Sequence, residues 1–510
     1  MCPRAQPNFS SVTMLIEPRA TVPYAPSIEL GSIRGGRVPA ARPGVILAVL
    51  LAAGITYALS QTLILPAMPA LVRELGAPPL AVSWLLTAYL ISASVATPLI
   101  GRLGDLLGRG RMLTAVMAAF CAGSVLCALG DTLALLVIGR VLQGVAGGVF
   151  PLAYGIIRDT FPIQSRMRAI GLLSVSLGVG AALGPAISGV IVDHAGPGAI
   201  FWVGMVGAVP ALAAGRLIPD ARAGAGAPID WAGAALLAAI LAAVVTVLTQ
   251  GAALGWTSAA VLGLAALAVV LGWWWLRIER RRPAPLVDLE LLRHRTVALT
   301  NGAAFCIGCG IFMAYVPLAP LAQTPRSTGY GFGLSVTAAG ALLIPHGVTQ
   351  ILIGPWAGGL CARIGSKPTL VLGASINALT MAVLAVAHGS VLTLLVVGGV
   401  LGIGQAFALT AMANLVVAAV SRDDVGIATG VNTVMRTIGM ALGSALSAAL
   451  LAAGIHAGQV FTDERAYAIN FGVAAVVTAG AVACAVGIRR RPDPEPEEAP
   501  VAVTAAPVAG

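Results

Sequence analysis

Apolar segments long enough to cross a membrane recur along nearly the whole chain, and short polar stretches separate them. In lipid the backbone must satisfy its own hydrogen bonds, so a run of about 20 apolar residues is expected to form a transmembrane α-helix. Charged residues make up only 10% of the 510 residues, whereas a soluble protein uses roughly a quarter. The sequence therefore predicts an all-α polytopic membrane protein, with the lipid bilayer as a partner.

The spacing of the apolar segments predicts fourteen spans. Lys and Arg concentrate in the cytoplasmic loops of such proteins, and with both termini in the cytoplasm only Arg73, Arg326 and Arg465 fall on the outer side. The net charge of +10 is therefore a topology signal, and we expect no nucleic-acid partner. The predicted spans are residues 45–70, 80–100, 113–129, 134–156, 168–192, 198–218, 230–250, 257–277, 298–320, 336–357, 369–389, 391–418, 425–452 and 466–488.

One polar stretch stands out because it occurs twice. Residues 101–111, between predicted spans two and three, read as a loop rich in Gly, Arg and Asp, and a fainter copy follows at 358–367. Such a repeat at corresponding positions indicates an internally repeated transporter. Residues 1–44 and 489–510 contain Pro and charged residues without a continuous apolar run, and they are predicted to be disordered cytoplasmic tails.

Ionisable residues inside predicted spans are costly and therefore mark functional sites by default. Arg140 shares a helix face with Gln143 and Gly144, and Arg436 lies one turn from Asn432. These residues are candidates for a substrate or proton pathway. The alternative is that both arginines clamp backbone carbonyls or a neighbouring helix.

His346 is the only histidine at predicted membrane depth. Imidazole titrates in the physiological range, so His346 is a candidate proton carrier; the alternative is a hydrogen-bonded histidine beside the kink of Pro345. No Asp or Glu falls in the middle of a predicted span, which disfavours a scheme with one buried carboxylate as the carrier. Cys306 and Cys309 form a C-x-x-C without further ligands, so they predict helix packing and no metal site.

The fifth predicted span is dense in small residues at four-residue spacing. Small residues let helix backbones approach closely, and a proline bends or loosens the helix. We therefore expect this span to pack tightly against its neighbours. The residues that define the pattern are Gly180, Gly184, Pro185 and Gly189.

Together these motifs resemble those of Major Facilitator Superfamily transporters of the fourteen-span drug/proton antiporter type. Segment 101–111 resembles the family's gating motif between spans two and three. The surroundings of Arg140 resemble the span-four motif linked to proton transfer, and the small residues of span five resemble the antiporter motif. Asn432 and Arg436 resemble the span-thirteen pattern of the fourteen-span branch.

The resemblance implies a Major Facilitator fold, with six-helix bundles at 45–218 and 298–488 and two inserted spans with cytoplasmic linkers at 219–297. Substrate would bind between the bundles and be exposed alternately to each side. The copy at 358–367 has Ala362 where the first segment has an acid, so its gate is expected to be weaker. The implied gating residues are Gly101, Asp105, Gly108, Arg109, Arg111 and Arg363.

The sequence departs from the family at Ser60, where many fourteen-span relatives carry an aspartate in span one. Ser60 is still expected on the substrate pathway. Without that aspartate, the candidate proton carriers are Asp105, His346 or a carboxyl group of the substrate. Arg140 would then tune the proton affinity of a neighbouring group.

The resemblance implies a monomeric, multi-pass protein of a bacterial inner or plasma membrane. It would export small amphipathic compounds, driven by protons and without a cofactor. A second hypothesis keeps the fold and exports an anionic metabolite, with Arg140 and Arg436 as counter-ions. An integral-membrane enzyme or receptor is disfavoured because the spans show no convergent cluster of His, Asp and Glu. No phosphate-binding Walker loop is present, which argues against an ATP-driven pump.

Overall fold

The computed structural model describes residues 43–215, 218, 230–282, 294–420, 425–455 and 461–488. The predicted tails lie outside this part of the chain except for Pro43 and Gly44, and so does most of the predicted linkers around the inserted spans. Thirteen helices in the described part are long and apolar enough to cross a membrane. The all-α polytopic class is therefore confirmed.

The described residues of the first half form nine α-helices. Two short 3₁₀ turns lie between them: Val145–Gly148 joins two helices of one span, and Pro197–Ala199 lies between the eighth and ninth helices. The helices are α1 (Pro43–Thr62), α2 (Ile64–Leu75), α3 (Pro79–Val82), α4 (Trp84–Leu107), α5 (Arg109–Leu129), α6 (Leu133–Gly144), α7 (Val149–Thr160), α8 (Ile163–Ala195) and α9 (Ile200–Gly215).

The remaining helices follow the same pattern of long apolar elements. Two of them, α10 (Trp231–Leu254) and α11 (Ala259–Glu279), correspond to the predicted inserted spans. The last seven are α12 (Arg295–Gln323), α13 (Val336–Ala341), α14 (Ile344–Ile364), α15 (Ser366–Ala387), α16 (Val391–Ala419), α17 (Val425–Ala453) and α18 (Glu464–Gly487).

The count of fourteen spans stays a prediction. Thirteen of the predicted spans have a helix of sufficient length, whereas the sixth coincides with a shorter apolar helix, Pro197–Ala213. The division of the crowded 369–418 region into two spans agrees with α15 and α16.

Helices of the first half pack mainly on one another, as do α12 to α18. The two halves meet where α4 packs on α17 and where α8 packs on α13 and α14. Helix α10 packs on α11 and also contacts α4 and α17, so it lies along one seam between the halves.

The 101–111 segment is a helix junction and not the extended loop that its composition predicts. Helix α4 continues to Leu107 and α5 begins at Arg109, so Gly108 alone makes the turn, with a φ of 101°. The fainter copy is built the same way, because Gly365 joins α14 to α15 with a φ of 91°. A side chain disfavours this left-handed backbone region, which explains glycine at both turns.

A second contact also recurs in both halves. Gly144 in α6 lies against the backbone carbonyl of Tyr89 in α4, where an added Cβ would come within 2.5 Å of the oxygen. Gly402 in α16 lies in the same way against the carbonyl of His346 in α14. Both halves therefore use a glycine to bring corresponding helices together, as an internal repeat requires.

We call the end of the molecule that carries residues 101–111 the loop end, and the opposite end, which carries Leu75, Ala195 and Val336, the far end. Among the described residues, three hydrogen-bonded contacts join the two halves, and all lie in the far half of the helices. They are Gln323 Nε2 to the Pro66 carbonyl (2.9 Å), the Thr87 and Ser444 hydroxyls (3.4 Å), and Asp193 with Thr337.

Candidate transport site

Arg140 is almost completely buried, with 1% of its surface exposed, and it contacts three helices. Its Nε donates to the Leu85 carbonyl of α4 at 2.8 Å, and Nη2 donates to the Ser60 carbonyl of α1 at 3.0 Å. Nη1 donates to Oε1 of Gln143 at 2.7 Å, one turn along α6. The guanidinium is thus held by hydrogen bonds from several directions, which is how a buried charge is tolerated.

Two further side chains extend this network. The Arg140 guanidinium lies over the Tyr89 ring at 4.2 Å from its centroid, a cation–π geometry. The Tyr89 hydroxyl donates to the Tyr57 carbonyl at 3.0 Å, and Gln143 Nε2 donates to the Ser124 hydroxyl at 2.9 Å. The Arg140 network therefore connects α1, α4, α5 and α6.

The space beside Arg140 is small. A cavity of about 10 Å³ lies between α1, α6 and α9, which is near the lower limit for a single water molecule. In this conformation Arg140 does not face a space large enough for a drug-sized compound. The cavity is lined by Ser60, Leu63, Ile64, Arg140, Gln143, Ile200, Phe201 and Gly204.

The structure brings together three of the residues that the sequence nominated: Ser60, Arg140 and Gln143. Gly144 belongs to the same place, because its close approach to α4 sets the distance between the helices that carry Arg140 and Tyr89. At Ser60, the position of the missing aspartate, the contact with Arg140 is made by the backbone carbonyl.

Arg436 is half-buried in α17 and faces the other half of the protein. Its guanidinium lies within electrostatic range of the phenols of Tyr57 in α1 and Tyr154 in α7. None of the hydrogen bonds and ion pairs found in the described part of the chain involves this guanidinium, in contrast to Arg140.

Four aromatic rings of the first half, here called the aromatic cluster, link the neighbourhoods of the two arginines: Tyr57, Tyr89, Phe150 and Tyr154. Ring centroids are 6.0 Å apart for Tyr57 and Tyr89, 5.7 Å for Tyr57 and Phe150, and 6.2 Å for Phe150 and Tyr154. The sequence analysis missed this cluster. A signal was available, because the chain has only 7 tyrosines and three of them are here.

Asn432 does not join this group, although it lies one turn from Arg436. Its Nδ2 donates to Asn301 Oδ1 at 2.9 Å, in α12 of the same half. Gly439, three residues beyond Arg436, packs against the Phe305 carbonyl of α12. In the span-thirteen pattern, Asn432 and Gly439 therefore contact α12 of their own half, whereas Arg436 faces the opposite half.

His346 lies apart from Arg140, in the other half, and is 2% exposed. Its Nδ1 lies 2.7 Å from the Tyr315 hydroxyl of α12, and the two rings are perpendicular at 5.3 Å. His346 occupies the position in the second half that Tyr89 occupies in the first. Gly402 packs against the His346 carbonyl just as Gly144 packs against the Tyr89 carbonyl. This geometry fits the hydrogen-bonded helix histidine that the sequence left open as an alternative, and proton transfer by His346 stays a prediction.

At the loop end Arg109 ties three helices of the first half together. Its Nη2 bonds Asp105 Oδ1 at 2.5 Å, one turn away, and Nη1 bonds both Asp159 and the Gly155 carbonyl of α7. The Asp105 side chain is 57% exposed. Gly101 packs on Pro151 of the same helix α7.

The second copy of this segment is connected differently. Arg363 is exposed, and Lys367 donates to the carbonyls of Val486 at 2.9 Å and Ile488 at 2.5 Å. A lysine on the last carbonyls of a helix complements the negative end of its dipole. Lys367 thereby anchors the end of α18, a role that the sequence analysis did not assign. Arg111, the last residue of the first copy, is also exposed.

The small residues of α8 divide between two partners. Gly180 and Gly184 pack on Ala58 and Thr62 of α1, and the Thr62 hydroxyl donates to the Gly180 carbonyl at 2.8 Å. Further along α8, Gly189 and the Pro185 carbonyl lie against α13 of the other half. The expected tight packing is present, and part of it lies between the halves.

Two related helical halves that meet along long apolar helices define a class of protein, the two-bundle membrane transporter. The chain belongs to the Major Facilitator Superfamily, because the model of that family matches residues 50–331 and 300–508. The protein is therefore a multi-pass membrane protein of this superfamily.

Curated relatives include bacterial transporters. The chain is 32% identical over 414 residues to a probable actinorhodin transporter of Streptomyces coelicolor, covering 78% of this chain and 70% of the relative. It is 28% identical over 319 residues to the multidrug transporter protein MdtP of Bacillus subtilis, covering 62% and 58%. It also spans half the length of an uncharacterised MFS-type transporter of Mycobacterium tuberculosis, at 30% identity over 67% of this chain.

Solved structures share the fold at low sequence identity. An auto-inhibited peptide transporter of the POT family superposes with a TM-score of 0.62 at 18% identity, over 89% of this chain and 98% of that one. The human organic anion transporter MFSD10 superposes with a TM-score of 0.57 at 15% identity, over 87% and 100%. These similarities support the Major Facilitator fold alone.

Proposed function

We propose that this protein is a secondary active exporter of the plasma membrane that releases small amphipathic compounds by alternating access in exchange for protons. The observation that carries the proposal is the position of the contacts between the halves. Their hydrogen bonds lie in the far half of the helices, whereas Arg109 at the loop end bonds only within its own half among the contacts described. This asymmetry is what one end state of an alternating-access cycle requires.

The relatives support small drug-like compounds as the transported class, since their names describe an actinorhodin transporter and a multidrug transporter. The Arg140 network supports proton coupling. It joins four helices through a fixed positive charge, so a change in one hydrogen bond is transmitted to the packing of the others. Arg140 would tune the group that binds the proton and would not carry the proton itself, because guanidinium does not deprotonate in proteins.

The test is efflux of a fluorescent amphipathic dye from proteoliposomes with an imposed pH gradient. We expect Arg140→Ala to abolish the gradient-driven component while the purified protein still elutes as a folded species. Arg277→Ala is the matched control, because Arg277 stacks on Trp273 of the exposed helix α11. Gradient-driven efflux by Arg140→Ala at the wild-type rate would remove the proposed coupling.

A second candidate substrate class, anionic metabolites, is favoured by one observation. Arg436, whose guanidinium has no hydrogen-bond partner among the described residues, brings a positive charge to the aromatic cluster at the seam between the halves. A cation beside aromatic rings would bind a planar acid through charge and stacking.

Competition separates the two substrate classes. In the same proteoliposomes, an aromatic carboxylate and a cationic dye of similar size compete for efflux of the reporter. If anions are the substrates, Arg436→Gln weakens competition by the carboxylate and leaves that of the cation unchanged. Stronger competition by the cation in both proteins would reject the anionic class.

A further inference from the structure

The two halves touch backbone to backbone where the far end of α8 meets α13. An added Cβ at Gly189 would overlap Thr337, and one at Gly340 would overlap the Pro185 carbonyl. Glycines at both positions allow this close approach. The contact belongs to the side of the molecule where the halves are joined, so it must separate if the far end is to open.

One carboxylate holds this junction. Asp193 Oδ2, in the last turn of α8, accepts from the backbone N–H of Thr337 at 2.9 Å and from its hydroxyl at 2.6 Å. The Ser335 hydroxyl and the Val336 N–H also lie within its bonding range. Asp193 therefore satisfies the first turn of α13, whose N–H groups have no partner within their own helix, from the opposite half of the protein.

The carboxylate is open to solvent at the far end. Its described polar neighbours are hydroxyl and amide donors, and no charged side chain acts on it among the described residues. His194, the next residue of α8, bonds its Nδ1 to the Val190 carbonyl of its own helix. The charged or titratable groups on the elements packed against α8 are Arg73 and Glu74 on α2, Tyr57 on α1, Tyr154, Arg158 and Asp159 on α7, and His346 and Arg363 on α14.

We propose that Asp193 is a proton-binding site that latches the far end. Ionised, the carboxylate accepts the Thr337 N–H and hydroxyl and holds α8 on α13. Protonated, it loses its negative charge and keeps only its carbonyl oxygen as a full acceptor, so its hydrogen bonds to Thr337 weaken. A proton taken from the far side therefore releases the junction.

The latch complements the loop end. There the acid Asp105 bonds an arginine of its own half, whereas Asp193 bonds the opposite half. A protein with no carboxylate in the middle of a predicted span thus has a titratable carboxylate at a contact that opens and closes. This placement couples the opening of the far end to protonation of Asp193, whatever the exported compound.

Hydrogen–deuterium exchange of the full chain in lipid nanodiscs tests the latch without a substrate. The readout is the peptide covering Ser335–Ala341, with rates corrected for the intrinsic effect of pH. At neutral pH we expect Asp193→Asn to exchange about tenfold faster than wild type, because hydrogen bonds to a charged acceptor are roughly twice as strong as neutral ones. Wild type should approach the variant's rate as the pH falls, and the variant should not respond.

Asp131→Asn is the matched control, since Asp131 lies in the turn between α5 and α6 at the same far end. Thr337→Val, which removes the hydroxyl donor and keeps the backbone N–H, should give an intermediate rate. Wild-type exchange in Asp193→Asn, or an equal increase in Asp131→Asn, would overturn the latch. Protection of the α12 amides from exchange reports whether each variant is folded. Because this experiment uses no substrate, a failure of dye efflux would count against the proposed function and not against the latch.

Discussion

Replacing Arg140 by lysine or by methionine separates the cost of losing its hydrogen bonds from the cost of burying its charge. Lysine keeps the charge but places it at one point, so it cannot reach carbonyls on α1 and α4 and Gln143 on α6 together. Methionine has a similar length and no charge. Both variants lose the same guanidinium contacts, and only lysine leaves a buried ion with too few partners.

The structure sets the size of the effect. Both variants lose the three Arg140 hydrogen bonds, but only lysine leaves a buried charge with too few partners. An uncompensated buried charge costs about 3–5 kcal/mol, so Arg140→Lys should be less stable than wild type by about that amount. Replacing a buried ion by an apolar residue is often neutral, so Arg140→Met should lie within about 1 kcal/mol of wild type.

The free energy of unfolding is measured by denaturant titration of the purified protein in micelles, with Arg277→Lys as the control on the exposed helix α11. The expected order of stability is wild type and methionine together, followed by lysine. A lysine variant as stable as wild type, or a methionine variant less stable than lysine, would refute the view that the network exists to hold a buried charge.

Three further predictions address helix packing and capping. Gly108→Ala should lower the free energy of unfolding by about 1 kcal/mol because φ is 101° there. Gly358→Ala, inside α14 and facing open space, should not lower it, because alanine is the better helix former. Lys367→Met should speed hydrogen exchange at the end of α18 several-fold, because its carbonyls lose their donor. Gly144→Val should reduce thermal stability, since its side chain would overlap the Tyr89 carbonyl, and it should weaken proton-driven efflux.

Features that depend on one stretch of chain could be predicted from the sequence. The spans could be predicted from the length of the apolar segments, and the internal repeat from the similarity of 101–111 to 358–367. The turns at Gly108 and Gly365, both with positive φ, explain that similarity. The pairing of Arg140 with Gln143 follows from helical spacing, and their 2.7 Å hydrogen bond confirms it.

Features that depend on contacts between distant helices could not be predicted. Two of the three hydrogen bonds of the Arg140 guanidinium go to backbone carbonyls. Because every residue has a carbonyl, no side-chain motif predicts these bonds. Asp193 counted only as an acid at a span end, because its significance comes from Thr337 in the other half. Helical spacing also grouped Asn432 with Arg436, yet Asn432 bonds its own half while Arg436 faces the opposite one.

The two arginines that the sequence places inside spans therefore differ in what they can do. Arg140 has its hydrogen bonds satisfied within one half and borders a cavity of about 10 Å³, so an incoming substrate would have to break existing bonds to reach it. Within the described part of the chain the Arg436 guanidinium makes no such bonds, and it lies at the seam beside Tyr57 and Tyr154. A substrate that needs a positive charge gains more from Arg436, because it has fewer existing hydrogen bonds to break there. This asymmetry assigns the organisation of the helices to Arg140 and makes Arg436 the position where substitution should change which compounds are exported.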